Sequence, residues 1–323
     1  MAIHSRSFAA IRELLSSDMS HNSSATLQKA QALSSGTGLG WGLLGVVGFS
    51  FTIPFTRIAV ADGGMSPLFI GSARAVVAAV LAAAALALTR QPLPRGRQWI
   101  GLAIIAAGVV VGFPLLTSFA MQTVPAGHGA VVIALLPAAT AVMAVLRGRD
   151  RPRTAFWITA GIGAVLAVVF AARQNGGLGS LHLTDLLLFC GVGAAAISYA
   201  EGALLSRVLG SWQTMCWALV LGAPLMVVLT GIGAAQQPPT GTPAQWLALT
   251  YLSVVSMFLA FFAWYRGLAI GPMAQVSQVQ LVQPVLSICW AALLLRESLT
   301  WPTVLGGLAV VACAGLAVRT RLG

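Results

Sequence analysis

An all-α polytopic membrane protein is the fold class this sequence predicts, with ten transmembrane helices arranged as two inverted five-helix repeats. Three observations carry it. The 323-residue chain is 58% hydrophobic and only 8% charged, where a soluble domain carries roughly 25% charged residues and needs them to cover its surface. Its mean hydropathy is +0.89, and the apolar residues come in runs near the ~20 needed to cross a hydrocarbon core. Finally, landmarks return at a constant offset of 147 residues: Gln98-Trp99 as Gln245-Trp246, Pro125 as Pro272, Pro137 as Pro284, and Asp150 as Glu297. Duplicated halves of this kind are common in transporters.

Taken in order, residues 1–37 are polar, rich in Ser, Ala and Gln, and lack the apolar core of a secretory signal. They read as a disordered cytoplasmic tail, with Met19 as a second candidate start. Ten spans follow at 38–60, 67–88, 99–120, 125–146, 154–172, 183–206, 213–235, 244–265, 272–295 and 302–319. The first repeat is read over 38–172 and the second over 183–320. The polar stretch RQNGGLGSLH at 173–182 links them.

Orientation follows from the basic residues, which concentrate in cytoplasmic loops. With the N-terminus inside, the inner segments hold fourteen: Arg6, Arg12, Lys29, Arg90, Arg95, Arg97, Arg147, Arg149, Arg151, Arg153, Arg207, Arg266, Arg319 and Arg321. The outer loops hold two, Arg173 and Arg296. Both termini are therefore expected in the cytoplasm, in a multi-pass inner (plasma) membrane protein. Five spans per half is an odd number, so the second half enters inverted. The net charge of +11 is accounted for by these topology signals, and nucleic acid is not an expected partner.

The spans carry further marks: Trp41-Gly42 in the first, Pro67 and Arg74 in the second, Pro137 in the fourth, and Ser198-Tyr199-Ala200 with Arg207 in the sixth. In the ninth and tenth, Pro284 is followed by LLLRESLTWPTVLGG, with Glu297 and Gly306. In these the chain resembles the drug/metabolite transporter superfamily, in particular its EamA-type members, over residues 38–320. The resemblance implies ten spans, cytoplasmic termini and a secondary carrier, often a metabolite exporter. Departures from the family pattern are Asp150 among four arginines, Gln283 before Pro284, and Glu201 where an apolar residue is usual.

An ionisable side chain within a span is costly and faces the bundle interior or a cavity by default. Arg57, Arg74 and Glu201 are singled out. Arg74 lies about 10 Å below the outer boundary and Glu201 about 8 Å above the inner one, at ~1.5 Å per residue. In a core of about 30 Å a direct pair is not expected. Arg57 and Arg74 read as structural charges, Arg57 snorkelling or meeting Asp62 and Arg74 holding helix ends. Glu201 reads either as a helix-end carboxylate reaching Arg207 or water, or as a proton-coupling group.

Buried amides need partners. Gln275, Gln278 and Gln283 fall within about 140° of one another on the ninth span. They are either interhelical hydrogen-bonding groups or a substrate-binding wall. His128, the repeat partner of Gln275, could join that wall from the fourth span, with Ser50, Thr52, Tyr199 and Trp264 as further wall residues. Pro137 and Pro284, each of which removes a backbone hydrogen bond, are expected as paired hinges. The four cysteines lie in apolar runs without metal-ligand spacing. No cofactor and no metal are expected.

These observations point to a secondary active transporter, an exporter of small metabolites, amino-acid-like compounds or drugs working by alternating access, with a proton as a candidate coupling ion. The alternatives are an intramembrane enzyme, a channel or a non-transporting receptor. No Walker, DxxxD or HExxH motif occurs, so no enzymatic activity is expected. Expected partners are a small-molecule substrate, the lipid bilayer and a second copy of the chain as a homodimer.

Overall fold

The structure, a computed structural model, describes residues 37–147, 154–174, 182–270, 276, 279–298 and 300–322. The expectations for the N-terminal tail, Asp150, Gln275 and Gln278 lie outside the described residues. Within them the chain is helical, with no strand.

Seven helices are long and apolar enough to cross a membrane: α1 (Thr37–Gly63), α2 (Pro67–Leu88), α3 (Gln98–Ala120), α4 (Ala126–Met143), α6 (Leu183–Leu209), α7 (Ser211–Gln236) and α8 (Pro243–Ile270). Three more, α5 (Thr154–Gln174), α9 (Val282–Leu295) and α10 (Trp301–Leu322), have shorter apolar stretches.

Local chemistry sets the helix starts. Ser66 caps α2, its hydroxyl accepting from the Phe69 N–H at 3.1 Å, with Pro67 at the first position. The repeated Gln98 and Gln245 have matching roles. Gln98 Oε1 accepts the Arg95 N–H at 2.6 Å and Gln245 Oε1 accepts the Thr242 N–H at 2.8 Å. Each glutamine accepts the backbone N–H three residues before it; Thr242 is the N-cap of α8, closing a capping box, while Arg95 lies in the turn two residues ahead of the α3 N-cap, Arg97. This recurrence of one hydrogen bond, 147 residues on, explains one sequence landmark in structural terms.

Packing follows the same offset. Two of the three most extensive helix contacts, α2 with α7 and α5 with α10, each join a pair of elements equivalent under the offset. Helix α6 of the second half packs against α3 and the later part of α4 in the first. Between α1 and α8 the backbones nearly touch. A Cβ on Gly45 would come within 2.9 Å of the Trp264 nitrogen, and one on Gly267 within 2.7 Å of the Gly42 nitrogen. Small residues permit this approach where lipid supplies no hydrophobic drive between helices. Exposed Leu88, Val80 and Leu247 form part of the apolar outer surface.

Four of the irregularities within the described helices stand in matched places. Ala106–Gly112 in α3 and Leu252–Leu259 in α8 are wound as π-helix. In α3 this precedes Pro114, whose ring displaces the Val110 carbonyl from an ordinary helical hydrogen bond. No proline accounts for the π turn in α8. Helix α4 turns at Ala134–Leu135 just before Pro137, and the chain turns at Gln280–Leu281 just before Pro284.

Candidate functional site between the halves

Both π segments border one cavity. It is lined by Phe49 and Thr52 of α1, Arg74 of α2, Val109, Phe113 and Pro114 of α3, Tyr199 of α6, Leu252, Ser256, Met257 and Phe261 of α8, and Gln283 of α9. Three pairs among these stand 147 residues apart: Thr52 with Tyr199, Val109 with Ser256, and Pro114 with Phe261. A cavity to which equivalent positions of both halves contribute lies where the halves meet. Its volume is about 30 Å³, room for about one water-sized group.

The walls are aromatic and apolar with a few polar groups. Phe49, Tyr199 and Phe261 are mutually packed, Phe49 and Phe261 edge to face at 4.8 Å between centroids. Thr52 and Ser256 join the halves by a 2.8 Å hydroxyl contact. Arg74 is 2% exposed. Its Nη1 donates to Thr56 Oγ1 at 3.4 Å and its Nη2 to Thr117 Oγ1 at 3.2 Å, while Nε has no partner. Gln283 is buried and its Oε1 has no donor.

Of the residues singled out in the sequence, the structure brings Tyr199, Thr52, Gln283 and Arg74 to this cavity. Ser50 is elsewhere. Its hydroxyl donates to Val47 O and accepts from Trp290 Nε1 at 3.0 Å, and its carbonyl accepts from Ser287 at 2.6 Å, so it ties α1 to α9. Trp264 is buried against the glycines of α1. Arg57 donates from Nη1 to the carbonyls of Met121 and Gln122 at 2.6 and 2.7 Å, just past the end of α3, and not to Asp62. A cation there offsets the orphan carbonyls of that helix end. The Glu201 carboxylate lies over Gly101 of α3, where a Cβ would come within 2.9 Å of its Oε1.

His128 belongs to a second site, a polar cavity of about 460 Å³ lined by residues including Thr123, Pro125, His128, Glu297, Ser298, Thr300 and Thr303. Two acids organise this end. Asp185 Oδ1 meets His128 Nε2 at 2.8 Å, both side chains being almost fully buried, and Asp185 Oδ2 accepts the His182 N–H at 3.0 Å. Glu297 accepts the N–H groups of Ala126 and Gly127 at 2.8 and 2.9 Å on its two oxygens. Those are orphan donors at the start of α4, where the residue before the helix, Pro125, offers no side-chain cap. Arg296, in the left-handed conformation at φ 53°, ends α9 immediately before this acid. The sequence reading passed over Asp185, although it lies two residues inside the span drawn at 183–206. That position was the available signal.

A larger cavity, about 790 Å³, runs along α1 and α8 beside the start of α7, lined by Trp41, Leu44, Trp212, Phe262 and Arg266 among others. Arg266 stands over the Trp41 ring at 5.5 Å. Its wall is predominantly apolar, and Leu44, Val47 and Leu259 on it are exposed. Among the described residues no cluster of His, Cys, Asp and Glu is arranged to hold a metal.

The model of the EamA-like transporter family matches the chain twice, over residues 36–172 and 182–319. The chain belongs to this family. It is 45% identical over 286 residues to the uncharacterized transporter YdeK of Bacillus subtilis (strain 168), covering 87% of this chain and 97% of that one. It is 27% identical to the uncharacterized inner membrane transporter YedA of Escherichia coli (strain K12), covering 69% of this chain and 72% of the relative. A solved crystal structure aligns over 89% of this chain and 98% of its own with TM-score 0.60 and 17% identity, a likeness of fold. The EamA-like chain is thus a multi-pass membrane transporter.

Proposed function

We propose that this EamA-like protein is a secondary active exporter of small metabolites, amino-acid-like compounds or drugs. It works by alternating access through ten spans in two inverted five-helix halves, with both termini cytoplasmic and a proton as the coupling ion. The observation that carries the reading is the central cavity, to which Thr52 and Tyr199, Val109 and Ser256, and Pro114 and Phe261 contribute at a constant offset. A site built from equivalent positions of two halves is reached from opposite sides when one half rocks on the other. The paired turns before Pro137 and Pro284 and the paired π segments support this, because helix interruptions are where packed helices bend. At about 30 Å³ the cavity is too small for a metabolite, so loading requires the halves to part.

The test is a substrate screen with the purified full chain in proteoliposomes under an imposed proton gradient. Gradient-driven movement of a compound that is blocked by enlarging Tyr199 to Trp supports the reading. Downhill flux at channel-like rates, insensitive to every gradient, would contradict it.

A further inference from the structure

Arg74 is a buried charge without a described counter-ion. A guanidinium within a span costs several kcal/mol unless its charge is answered. Here the only described partners are two neutral hydroxyls, on Thr56 and Thr117, and Nε has none. No described carboxylate pairs with it; the ion pair found among the described residues is His128–Asp185. A residue whose role was only to hold helix ends would spend its donors on backbone carbonyls, as Arg57 does on Met121 and Gln122. Arg74 instead borders the central cavity.

We propose that Arg74 binds the carboxylate of the transported substrate, and that this substrate is a small monocarboxylate with an apolar or aromatic body. The inference rests on the reading of the central cavity as the transport site. The guanidinium fork matches a carboxylate in two parallel hydrogen bonds. Thr56 and Thr117 hold one edge of the fork in place and leave Nε unspent. The rest of the wall suits the other end of such a molecule. Phe49, Tyr199, Phe261 and Met257 supply apolar and aromatic surface, and Gln283 Oε1, buried without a donor, accepts one N–H or O–H from the substrate. A single buried cation and no buried acid in the cavity select one negative charge.

The test uses the purified full chain in nanodiscs at pH 7 with three probes: sodium 3-phenylpropanoate, the isosteric but neutral 3-phenylpropanamide, and sodium chloride. Binding is read from the concentration dependence of the melting temperature. The acid is expected to bind at least tenfold more tightly than the amide. In Arg74→Gln the two should bind within twofold of each other. Because Arg74→Gln can fail to fold, Thr117→Val serves as a second variant. It should weaken the acid several-fold and leave the amide unchanged. Equal binding of acid and amide by the wild type overturns the proposal. So does absence of acid binding, or an acid preference that survives in both variants. Stabilisation by chloride equal to that by the acid salt also overturns it, since the site then takes an inorganic anion. Failure of this assignment is separable from failure of the transport-site reading. If Gln283→Cys is labelled from water and a transported compound of any charge protects it, the cavity stands and only the carboxylate falls.

Discussion

His128 Nε2 and Asp185 Oδ1 lie 2.8 Å apart, both almost fully buried, and join α4 of the first half to the start of α6 in the second. Asp185 spends its other oxygen on the His182 N–H. Removing either partner strands a buried polar group, which costs about 1–3 kcal/mol. His128→Ala and Asp185→Ala are each expected to lower the melting temperature in detergent, and the double variant should lose much less than their sum. Additive losses in that cycle would show that the contact carries no coupling energy.

Glu297 gives a second stability prediction. Its carboxylate takes two N–H groups at the start of α4, where a negative charge also meets the positive end of the helix. Glu297→Gln keeps one acceptor oxygen and loses the charge, so a loss of about 1 kcal/mol is expected. Glu297→Ala should lose more, and Glu297→Asp, a methylene short, should fall between. Differential scanning fluorimetry of the three variants checks the order. No difference among them would mean that the cap contributes nothing to folding.

Much of this fold was legible in the sequence because it was written twice. The 147-residue offset anticipated pairs that the structure then gave physical roles: the side chains of Gln98 and Gln245 each accept the backbone N–H three residues earlier, and Pro137 and Pro284 follow the same kind of turn. The cavity was only partly legible. Tyr199 and Gln283 stood out as polar groups in apolar runs, whereas Ser50 and Trp264 stood out equally and spend themselves on helix packing. Hydrogen bonds to carbonyls across helices leave no periodic trace. Asp185 was missed because a carboxylate near a span boundary reads as solvated, and only its contact with His128 distinguishes it.

Water access separates cavity wall from packing. The native Cys190 and Cys289 are exposed, so the four cysteines must be replaced first. In that background Thr52→Cys and Gln283→Cys should react with a membrane-impermeant thiol reagent from at least one side, with a transported compound changing the rate. Trp264→Cys, buried against α1, should stay unreactive. Silence at positions 52 and 283 in every condition, with a labelled loop control, would make those groups interhelical contacts alone.

Topology is tested by reporter fusions. In the proposed orientation the inner segments hold fourteen basic residues and the outer loops two, so a reporter after Gly323 should report the cytoplasm and one in the 236–243 loop the opposite side. A C-terminus outside would remove the inverted arrangement of the halves.

Glu201 decides whether the coupling ion is a proton taken up in the sixth span. Its carboxylate lies against Gly101 at an α3–α6 contact, half-buried, one turn beyond the Ser198 hydroxyl that donates to the Ile104 carbonyl. Tyr199, two residues before it, is on the cavity wall. A change in the Glu201 contact on protonation would therefore act on the helix that carries the wall. A carboxamide keeps the shape and removes the titration. Glu201→Gln is expected to abolish accumulation driven by a proton gradient while leaving counterflow exchange within about twofold of wild type. A merely structural carboxylate predicts the reverse pattern. Glu201→Gln would then transport normally under the gradient, and Glu201→Ala would lower the melting temperature because it empties the space over Gly101. Proton-driven accumulation by Glu201→Gln at wild-type rates, with unchanged dependence on external pH, would exclude the coupling role.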